Sequence, residues 1–527
     1  MKKILISDSV DEKCTEILKS AGFDVNYKTD LSKNELLETI SYYNALIVRS
    51  STQVDAELIE EMTNMEVVGR AGAGVDNIDI KSATRKGILV MITPGGNTIS
   101  AAEHTMALML ATSRKIPQAN ISLHQKKWDR KRFQGTELFG KTLGLIGLGK
   151  IGKEVAVRAK SFGMKVIAFD PLVSNDAVSD MEIQIVTLDD IWKNSDIISV
   201  HTPLNERTKN LISYNELSIC KPSVTIINCA RGGIVNEKDL IKALEDGKIS
   251  SVGLDVFENE PPDFSIGLIQ HPSVVCTPHL GASTEEAQQK VAIQIAEQIV
   301  EYFKNGSLAG SVNASTLKEI SNDNLRSFVK LAEVIGGLLS QLRKDHLVAL
   351  KINSSGELLK NHAKLLSTSL LKGFLSEEMD STVNFINAPV IAEEMGIVLK
   401  EVISSDHRDY LNLIEVTMQT SSNEWKFAGT VFGKNDLRIV EINDYKVDLK
   451  PERNILIYKN VDKPGMLSSV TQKLSSANIN IASLSLGRKS QGDLALTVVN
   501  VDSMLDEKIK KSISSIDGIH DIYSVYI

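Results

Sequence analysis

The sequence predicts an α/β protein with two doubly wound parallel sheets, followed by an α+β domain and a last domain of order β-α-β-β-α-β. Three observations lead to this prediction. Short apolar runs alternate with amphipathic segments through residue 284, which is typical of parallel sheets covered by helices. A glycine-rich turn separates one of these runs from a helical pattern. From residue 453 onward the strand and helix signals follow the split order of ferredoxin-like folds.

The apolar runs fall into two series, one for each parallel sheet. A helical pattern at residues 100–113 lies between the series and is expected to join the two domains. A second helical pattern, at residues 285–305, could run back to the first domain. The predicted strands of the first sheet are residues 4–6, 45–48, 66–68 and 88–92, and those of the second are 143–146, 166–169, 196–200, 224–228, 252–256 and 274–277.

The glycine-rich turn lies between the strand at 143–146 and a helix that follows it. Its residues are Gly147, Leu148, Gly149, Lys150, Ile151 and Gly152. Glycines there let the backbone approach a pyrophosphate, whose charge then lies at the N-terminus of the helix. Asp170 ends the next strand, 18 residues after Gly152, where a carboxylate can bind the adenosine ribose and repel the extra phosphate of NADP. The unit therefore predicts a Rossmann-type domain that binds NAD; an ordinary glycine-rich loop is the plain alternative.

Three polar residues follow later strands of the second series. They are Arg231, Glu260 and His279. Ligands of doubly wound sheets bind beyond the carboxyl ends of the strands, so these residues should meet at the rim that carries the glycine turn. We expect His279 to act as acid and base, Glu260 to orient its ring, and Arg231 to bind a substrate carboxylate. Taken singly, a surface arginine, a salt-bridged glutamate and a core histidine are the structural alternatives.

Composition narrows the class of protein. The 527 residues are enough for three or four domains, and 42% of them are apolar. No apolar run approaches the length of a membrane span or of a signal peptide, so we expect a cytoplasmic protein. A net charge of −8 argues against nucleic acid or an anionic membrane as partner. The four cysteines show no paired spacing, so we expect buried free thiols and no metal site.

Four segments in this order resemble the D-isomer-specific 2-hydroxyacid dehydrogenases: residues 147–152, 228–233, 255–261 and 278–284. The resemblance is dense over residues 1–310. It implies a flavodoxin-like substrate domain beside the NAD domain, and hydride transfer between NAD and a 2-hydroxy acid. It also implies further residues along the cofactor cleft, namely His201, Thr202, Pro203, Ala230, Asp255 and Gly281.

Two arginines of the first domain predict a substrate with a phosphate as well as a carboxylate. Arg49 and Arg70 follow strands and should face the cleft, where they would add cations. By the resemblance, these positions and Asn97 hold the substrate, and the implied reaction is oxidation of 3-phospho-D-glycerate. A basic segment, residues 126–132, could add a cation from a neighbouring subunit, although a solvated loop is an equally good interpretation.

The last segment resembles an ACT domain, a small-molecule sensor of amino-acid pathways. Asp462 and Asn480 could bind an amino acid across a dimer, with Asn460 in the same first turn, and the resemblance implies L-serine. A purely structural dimerisation module is the alternative, because a fold alone does not prove a ligand.

These signals divide the chain into four predicted domains and leave two other functions open. A glyoxylate, hydroxypyruvate or lactate reductase would need neither the two extra arginines nor a sensor tail. An NAD-sensing scaffold on the same fold would not need Arg231, Glu260 and His279 together.

We expect a homodimer or homotetramer. The predicted domains are substrate-binding (1–98 and 285–310), NAD-binding (99–284), intervening α+β (311–450) and ACT regulatory (451–527).

Overall fold

The computed structural model of the chain describes residues 1–314, 323–379, 382–404 and 409–527. Four sheets carry the architecture, and their types match the predicted fold class. Among the described residues no helix is both long and apolar enough to cross a membrane. No group of three or more His, Cys, Asp or Glu side chains in these ranges could hold a metal ion.

The first sheet is parallel, with strand order β2-β1-β3-β4-β5, the flavodoxin-like order. The sequence prediction missed β2, a half-exposed edge strand of four residues that alternates polar and apolar side chains but contains no apolar run. Its strands are β1 (Lys3–Ile6), β2 (Asp24–Tyr27), β3 (Ala45–Val48), β4 (Val67–Arg70) and β5 (Leu89–Ile92). Its connecting helices are α1 (Lys13–Ser20), α2 (Lys33–Thr39), α3 (Ala56–Glu61) and α4 (Ile80–Arg85).

The second sheet is also parallel, with order β12-β11-β10-β9-β6-β7-β8. The chain reverses direction across the sheet between β6 and β9, which is the switch point where ligands of such sheets bind. Its strands are β6 (Thr142–Ile146), β7 (Lys165–Phe169), β8 (Gln184–Ile185), β9 (Ile197–Val200), β10 (Thr225–Asn228), β11 (Ser251–Leu254) and β12 (Val274–Cys276). Its helices are α5 (Thr98–Arg114), α6 (Ile116–His124), α7 (Lys150–Ser161), α8 (Leu188–Asn194), α9 (Tyr214–Ile219) and α10 (Glu237–Glu245).

A long helix, α11 (Glu285–Asn305), leaves the second sheet and packs on α1 of the first domain. Its apolar face joins the core of the first domain through Ile295 and Ile299. Gly69 in β4 lies so close that a Cβ there would be 2.9 Å from Ile295. The chain therefore completes its first domain only after it has built the second.

The remaining two sheets follow in order along the chain. A mixed sheet of order β14-β13-β15-β16-β17-β18 packs against two helices, and an antiparallel sheet of order β20-β21-β19-β22 ends the chain. The elements of the mixed sheet are α12 (Asp323–Leu342), β13 (Leu347–Ser355), α13 (Ala363–Ser376), α14 (Ala388–Glu394), β14 (Leu399–Ser404), β15 (Leu413–Thr420), β16 (Glu424–Phe432), β17 (Asp436–Ile442) and β18 (Tyr445–Leu449). Those of the last sheet are β19 (Asn454–Val461), α15 (Met466–Ser476), β20 (Ile481–Arg488), β21 (Leu494–Val501), α16 (Glu507–Ser514) and β22 (Ile519–Tyr526).

The four cysteines are free, but only two of them are buried. Cys14 and Cys220 are buried, whereas Cys229 and Cys276 are half-buried beside the cleft strands β10 and β12. The expectation of four buried thiols is therefore wrong for the second pair, because both lie where strands reach the rim of the sheet.

Candidate active site

The glycine turn joins β6 to α7 in a conformation that side chains would prevent. Gly147 has a φ of +98°, and a Cβ there would lie 2.5 Å from the carbonyl oxygen of His201. A Cβ on Gly152 would lie 2.3 Å from the carbonyl oxygen of Gly147. Gly149 precedes α7 and provides no side chain to cap it, and the space where its Cβ would lie is open. The N-terminus of α7, which begins with Lys150 and Ile151, is therefore accessible to an anion.

Asp170 lies directly after β7 and holds the glycine turn. Its carboxylate accepts hydrogen bonds from the backbone N–H of Leu148 at 2.8 Å and of Leu172 at 2.9 Å. An ionised carboxylate can accept about four hydrogen bonds, so Asp170 keeps capacity for a ligand hydroxyl.

The segment after β9 packs under the same turn. The imidazole of His201 is hydrogen-bonded through Nε2 to the hydroxyl of Ser199 at 2.9 Å, and burial lowers the pKa of His201 to about 4. The ring is therefore neutral at physiological pH. Thr202 is next, and its buried hydroxyl has no hydrogen-bond partner among the described residues. Pro203 continues the segment, which lines the cleft beside the turn.

Arg231 follows β10 and reaches across to the first domain. The buried amide of Asn228 fixes this loop, because it accepts from the N–H of Ala230 at 3.0 Å and donates to the carbonyl of Arg231 at 2.9 Å. The guanidinium Nε lies 3.1 Å from a carboxylate oxygen of Asp76. Asp76 was missed by the sequence reasoning, since nothing in its local pattern indicates a partner 155 residues away.

His279 and Glu260 form a pair at the same rim. Their Nδ1 and Oε2 atoms are 2.7 Å apart. The hydrogen bond that His279 donates to Glu260 raises the pKa of His279 above its ordinary value of 6.5, although burial opposes this shift. Burial alone would raise the pKa of Glu260, but the contact with His279 more than offsets it and the pKa is lowered. Both shifts favour an imidazolium–carboxylate pair, with Nε2 of His279 left free for substrate.

Asp255 lies directly behind this pair, one residue after β11, whose predicted end at residue 256 is two residues too long. Its side chain is fully buried. The carboxylate accepts from the N–H of Leu280 at 2.7 Å and of Gly281 at 2.8 Å, so it holds the turn that carries His279. Its other donors are the ring of His104 and the hydroxyl of Thr277. The sequence reasoning assigned Asp255 and Gly281 to the cofactor cleft and did not single out His104, which lies inside an apolar helix without any motif.

The two arginines of the first domain differ in how many side-chain N–H groups remain available to a ligand. Arg70 is held by three acceptors: the Asn77 side chain and the carbonyls of Arg49 and Gly74, at 2.8 to 3.1 Å. Burial lowers the pKa of Arg70. Within the described ranges, the side chain of Arg49 makes one hydrogen bond, to the carbonyl of Ser9 at 3.3 Å.

Other charged groups complete this edge of the cleft. Asp8, Arg49, Asp76 and Arg231 all lie close enough to Arg70 to act on its charge. Asn97 precedes α5 and makes no capping bond through its side chain. In the nearby loop a Cβ on Gly95 would lie 3.0 Å from Nζ of Lys150, so this lysine spans the two domains.

The three residues predicted to bind an effector do not meet within one chain. Asp462 follows β19 and is paired with Arg488 at 3.0 Å, whereas Asn480 precedes β20 and donates to Asp502 at 2.8 Å. These positions lie beyond opposite ends of β19, whose eight residues span about 23 Å at ~3.3 Å per residue. Asn460 is buried and hydrogen-bonded to Thr497. Any site that uses both Asp462 and Asn480 must therefore involve a second chain.

Comparison with known proteins identifies three segments of the chain. Residues 106–281 match the NAD binding domain of D-isomer specific 2-hydroxyacid dehydrogenases. Residues 324–443 match the intervening domain of D-3-phosphoglycerate dehydrogenases, and residues 454–518 match the ACT domain.

Individual relatives extend the similarity to nearly the full length. The chain is 39% identical to the D-3-phosphoglycerate dehydrogenase of Methanocaldococcus jannaschii, over 99% of both chains. It is 38% identical to that of Bacillus subtilis, over 98% of both. Among solved structures, D-lactate dehydrogenase from Aquifex aeolicus, complexed with NAD and lactic acid, aligns with a TM-score of 0.51 at 27% identity. That alignment covers 58% of this chain and 96% of the other.

Proposed function

Because the chain belongs to the D-3-phosphoglycerate dehydrogenase family, we propose that it oxidises 3-phospho-D-glycerate to 3-phosphooxypyruvate with NAD. This reaction is the first step of the phosphorylated route to L-serine. The observation that carries the proposal is the His279–Glu260 contact of 2.7 Å, at the rim that also bears Arg231 and the glycine turn. A protein that only senses NAD would not need this acid–base pair beside an arginine.

The residues of the cleft fit NAD. The left-handed Gly147 and the open position of Gly149 leave room for a pyrophosphate at the N-terminus of α7. The buried hydroxyl of Thr202 has no hydrogen-bond partner among the described residues, and the carboxylate of Asp170 accepts two hydrogen bonds. Both groups can therefore form further hydrogen bonds with a ligand. We assign the cofactor to these residues, to Lys150, Ile151 and Gly152, and to the cleft residues His201, Pro203, Ala230, Asp255 and Gly281. When bound, NAD supplies the carbon that accepts the hydride.

Proton transfer falls to His279. Its Nδ1 is held by Glu260, so Nε2 is the atom that accepts the proton of the C2 hydroxyl as the C2–H bond breaks. The carboxylate of Glu260 then stabilises the imidazolium that forms. In the reverse direction the same Nε2 returns the proton to the keto oxygen.

Arg231 holds the substrate carboxylate. Asp76 occupies its Nε side and the carbonyl of Ala230 accepts from Nη1, so the guanidinium is held at two points before substrate arrives. A guanidinium placed in this way binds a carboxylate and polarises the neighbouring C2 oxygen.

The phosphate of the substrate is assigned to the first-domain edge. Arg49 has most of its donors free, and Arg70 adds positive charge from a fixed position behind it. Asn97 contributes its amide at the start of α5, where its side chain makes no capping hydrogen bond. Without these groups a reductase of small unphosphorylated acids would be an equally good assignment.

The decisive test compares two substrates. NADH formation is measured with 3-phospho-D-glycerate and with unphosphorylated D-glycerate, each with and without L-serine. We expect kcat/KM to be at least about 100-fold higher for the phosphorylated acid, because two arginines contribute charge-assisted hydrogen bonds. Equal values for the two acids would refute the assignment of the phosphate.

We also propose a homo-oligomer and a cytoplasmic location. Supporting the first, several large apolar side chains of the NAD domain are exposed on α6 and the loop after it, beside the basic segment 126–132. Sedimentation would measure the state. These exposed residues are Ile116, Ile121, Leu123, Trp128 and Phe139.

Regulation and domain division complete the proposal. We propose that L-serine binds between two ACT domains, using Asp462 and Asn480 from different chains, with Asn460 supporting the first turn. The domains are proposed as predicted: substrate-binding (1–98 and 285–310), NAD-binding (99–284), intervening (311–450) and ACT (451–527). Of the intervening domain, residues 315–322, 380–381 and 405–408 lie outside the described part of the chain.

A further inference from the structure

The turn that carries His279 is tied at both ends to one face of a single helix. Ser100 and His104 lie four residues apart on α5, so their side chains share a face. The hydroxyl of Ser100 is 2.8 Å from that of Thr284, the residue that caps α11. His104 contacts Thr277, at the other end of the same segment, with Nε2 to Oγ1 at 2.9 Å.

His104 also reaches the buried carboxylate behind the turn. Its Nε2 is 3.1 Å from Oδ1 of Asp255, which also accepts the hydroxyl of Thr277 at 2.6 Å. Because a carboxylate oxygen cannot donate and the Thr277 hydroxyl already donates to it, the proton between these atoms belongs to His104 Nε2. The imidazole is thus a donor to the carboxylate that holds the N–H groups of Leu280 and Gly281.

The backbone explains why such support is needed. His279 has a φ of +55°, in the left-handed region that side-chain-bearing residues seldom occupy. The N–H groups of the two residues after it both point at Asp255, and its own N–H donates to the carbonyl of Asp255 at 2.9 Å. A buried carboxylate that lost a donor would hold this turn less tightly.

We propose that His104 is a positioning residue for the reaction: through Asp255 it holds the His279 turn in the conformation that directs the ring at Glu260 and the substrate. The inference rests on the proposed function, since it concerns the acid–base group of that reaction. His104 itself does not touch the substrate. It acts through the carboxylate of Asp255, which accepts hydrogen bonds from the backbone N–H groups of Leu280 and Gly281.

The test compares three substitutions on α5. His104→Leu removes the donor at similar volume, and His104→Gln keeps an N–H donor at nearly the same reach. Thr105→Val is the matched control, because Thr105 is buried on the same helix; its hydroxyl donates to the carbonyl of Ala101 at 2.8 Å and contacts the thiol of Cys229, so it lies outside the hydrogen bonds to Asp255. For each variant, kcat and the KM values for NAD and for 3-phospho-D-glycerate are measured.

We expect His104→Leu to lower kcat about 10-fold or more with KM values within about threefold, since misplacing an acid–base group affects chemistry more than binding. His104→Gln should recover most of the lost kcat, and Thr105→Val should keep the wild-type kcat. A wild-type kcat in His104→Leu, no recovery in His104→Gln, or an equal loss in Thr105→Val would each overturn the positioning role.

A second measurement does not depend on turnover. The rate at which diethyl pyrocarbonate modifies His279, followed by mass spectrometry against pH, reports the pKa of that imidazole. The charged groups that face it are Glu260, Asp255 and Arg231. In His104→Leu the ring is no longer held against the two carboxylates, so its pKa should fall towards 6.5; an unchanged pKa would overturn the proposal.

The wild-type chain separates this proposal from the proposed function. Absence of NADH formation by the wild type with 3-phospho-D-glycerate would refute the function, whereas wild-type turnover with an unaffected His104→Leu variant would refute only the role of His104. If His104→Leu does not fold, Thr277→Val removes the other donor to the same oxygen, and Thr277→Ser is its control.

Discussion

The NAD-binding sheet and the ACT sheet place their predicted ligand residues in opposite ways. In the NAD-binding sheet, Arg231 and His279 follow different strands and arrive at one rim. In the ACT sheet, Asp462 and Asn480 flank a single helix and are separated by the full length of β19. In the ACT sheet, therefore, two residues that are close in the sequence are not neighbours within one folded chain.

The difference arises from which end of each strand carries the residue. In a parallel sheet all carboxyl ends lie on one edge, so residues that follow strands converge there. In the ACT sheet β19 and β20 run in the same direction, but Asp462 follows one strand and Asn480 precedes the other. A site in the first sheet can be complete within one chain, whereas a site of the second kind requires two.

Removing the acid–base group should have the largest effect in the cleft. His279→Ala is expected to lower kcat about 10²- to 10⁴-fold, the usual contribution of such a group, with little change in NAD affinity. Steady-state kinetics and NADH fluorescence titration measure the two quantities. A loss of NAD affinity equal to the loss of kcat would show that His279 serves binding rather than proton transfer.

Glu260→Gln should reduce activity less and shift its pH dependence. Oxidation needs neutral His279, so kcat/KM falls as pH drops through the pKa of this imidazole, which Glu260 raises above 6.5. Without the carboxylate the pKa falls, and the acidic limb of the profile should move to lower pH, with kcat about 10- to 100-fold lower. A limb that stays in place would separate Glu260 from the titration of His279.

Arg49→Ala should weaken binding of the substrate phosphate and leave binding of the rest of the substrate unchanged. Losing a charge-assisted hydrogen bond of about 1.5–3 kcal/mol should raise KM for 3-phospho-D-glycerate roughly 10- to 100-fold. In the described part of the chain this side chain makes one long hydrogen bond, so thermal stability should stay the same. D-glycerate serves as the control substrate, and an equal rise in KM for it would contradict the assignment.

Mixing two ACT variants tests the two-chain site directly and has the smallest expected effect. Asp462→Ala and Asn480→Ala should each weaken inhibition by L-serine about fivefold or more, since each removes a polar contact. A mixed dimer of the two variants retains one intact site and should regain part of the inhibition. If mixing restores nothing while both single variants are impaired, the two residues do not share a site.

In the two parallel sheets, sequence reasoning located the strands formed by apolar runs and missed two short strands without such a run; it located no individual strand of the mixed sheet. The missed strand β2 and the two-residue β8 are both edge strands with half-exposed side chains, so they lack the apolar runs that marked the others. The helix at residues 285–305 was predicted with its observed ends, because Thr284 caps it and Gly306 terminates it in the left-handed region.

The sequence predicted those site residues that have a side chain suited to the reaction and also follow a strand, and it did not predict the others. Arg231, Glu260 and His279 could be proposed because their side chains suit the reaction and their positions follow strands. Asp76 and His104 could not, since the first belongs to the other domain and the second lies in mid-helix; only the folded chain brings them to Arg231 and Asp255.

Because α11 packs on α1, the first domain cannot complete its fold during synthesis until α11 has been made. Helix α1 ends at Ser20, but the helix that covers it begins at Glu285, so at roughly 5–20 residues per second the nascent first domain waits on the order of tens of seconds for its own cover. The NAD-binding unit emerges whole during that interval. We expect the amino-terminal unit to be the one that engages chaperones, although it is made first.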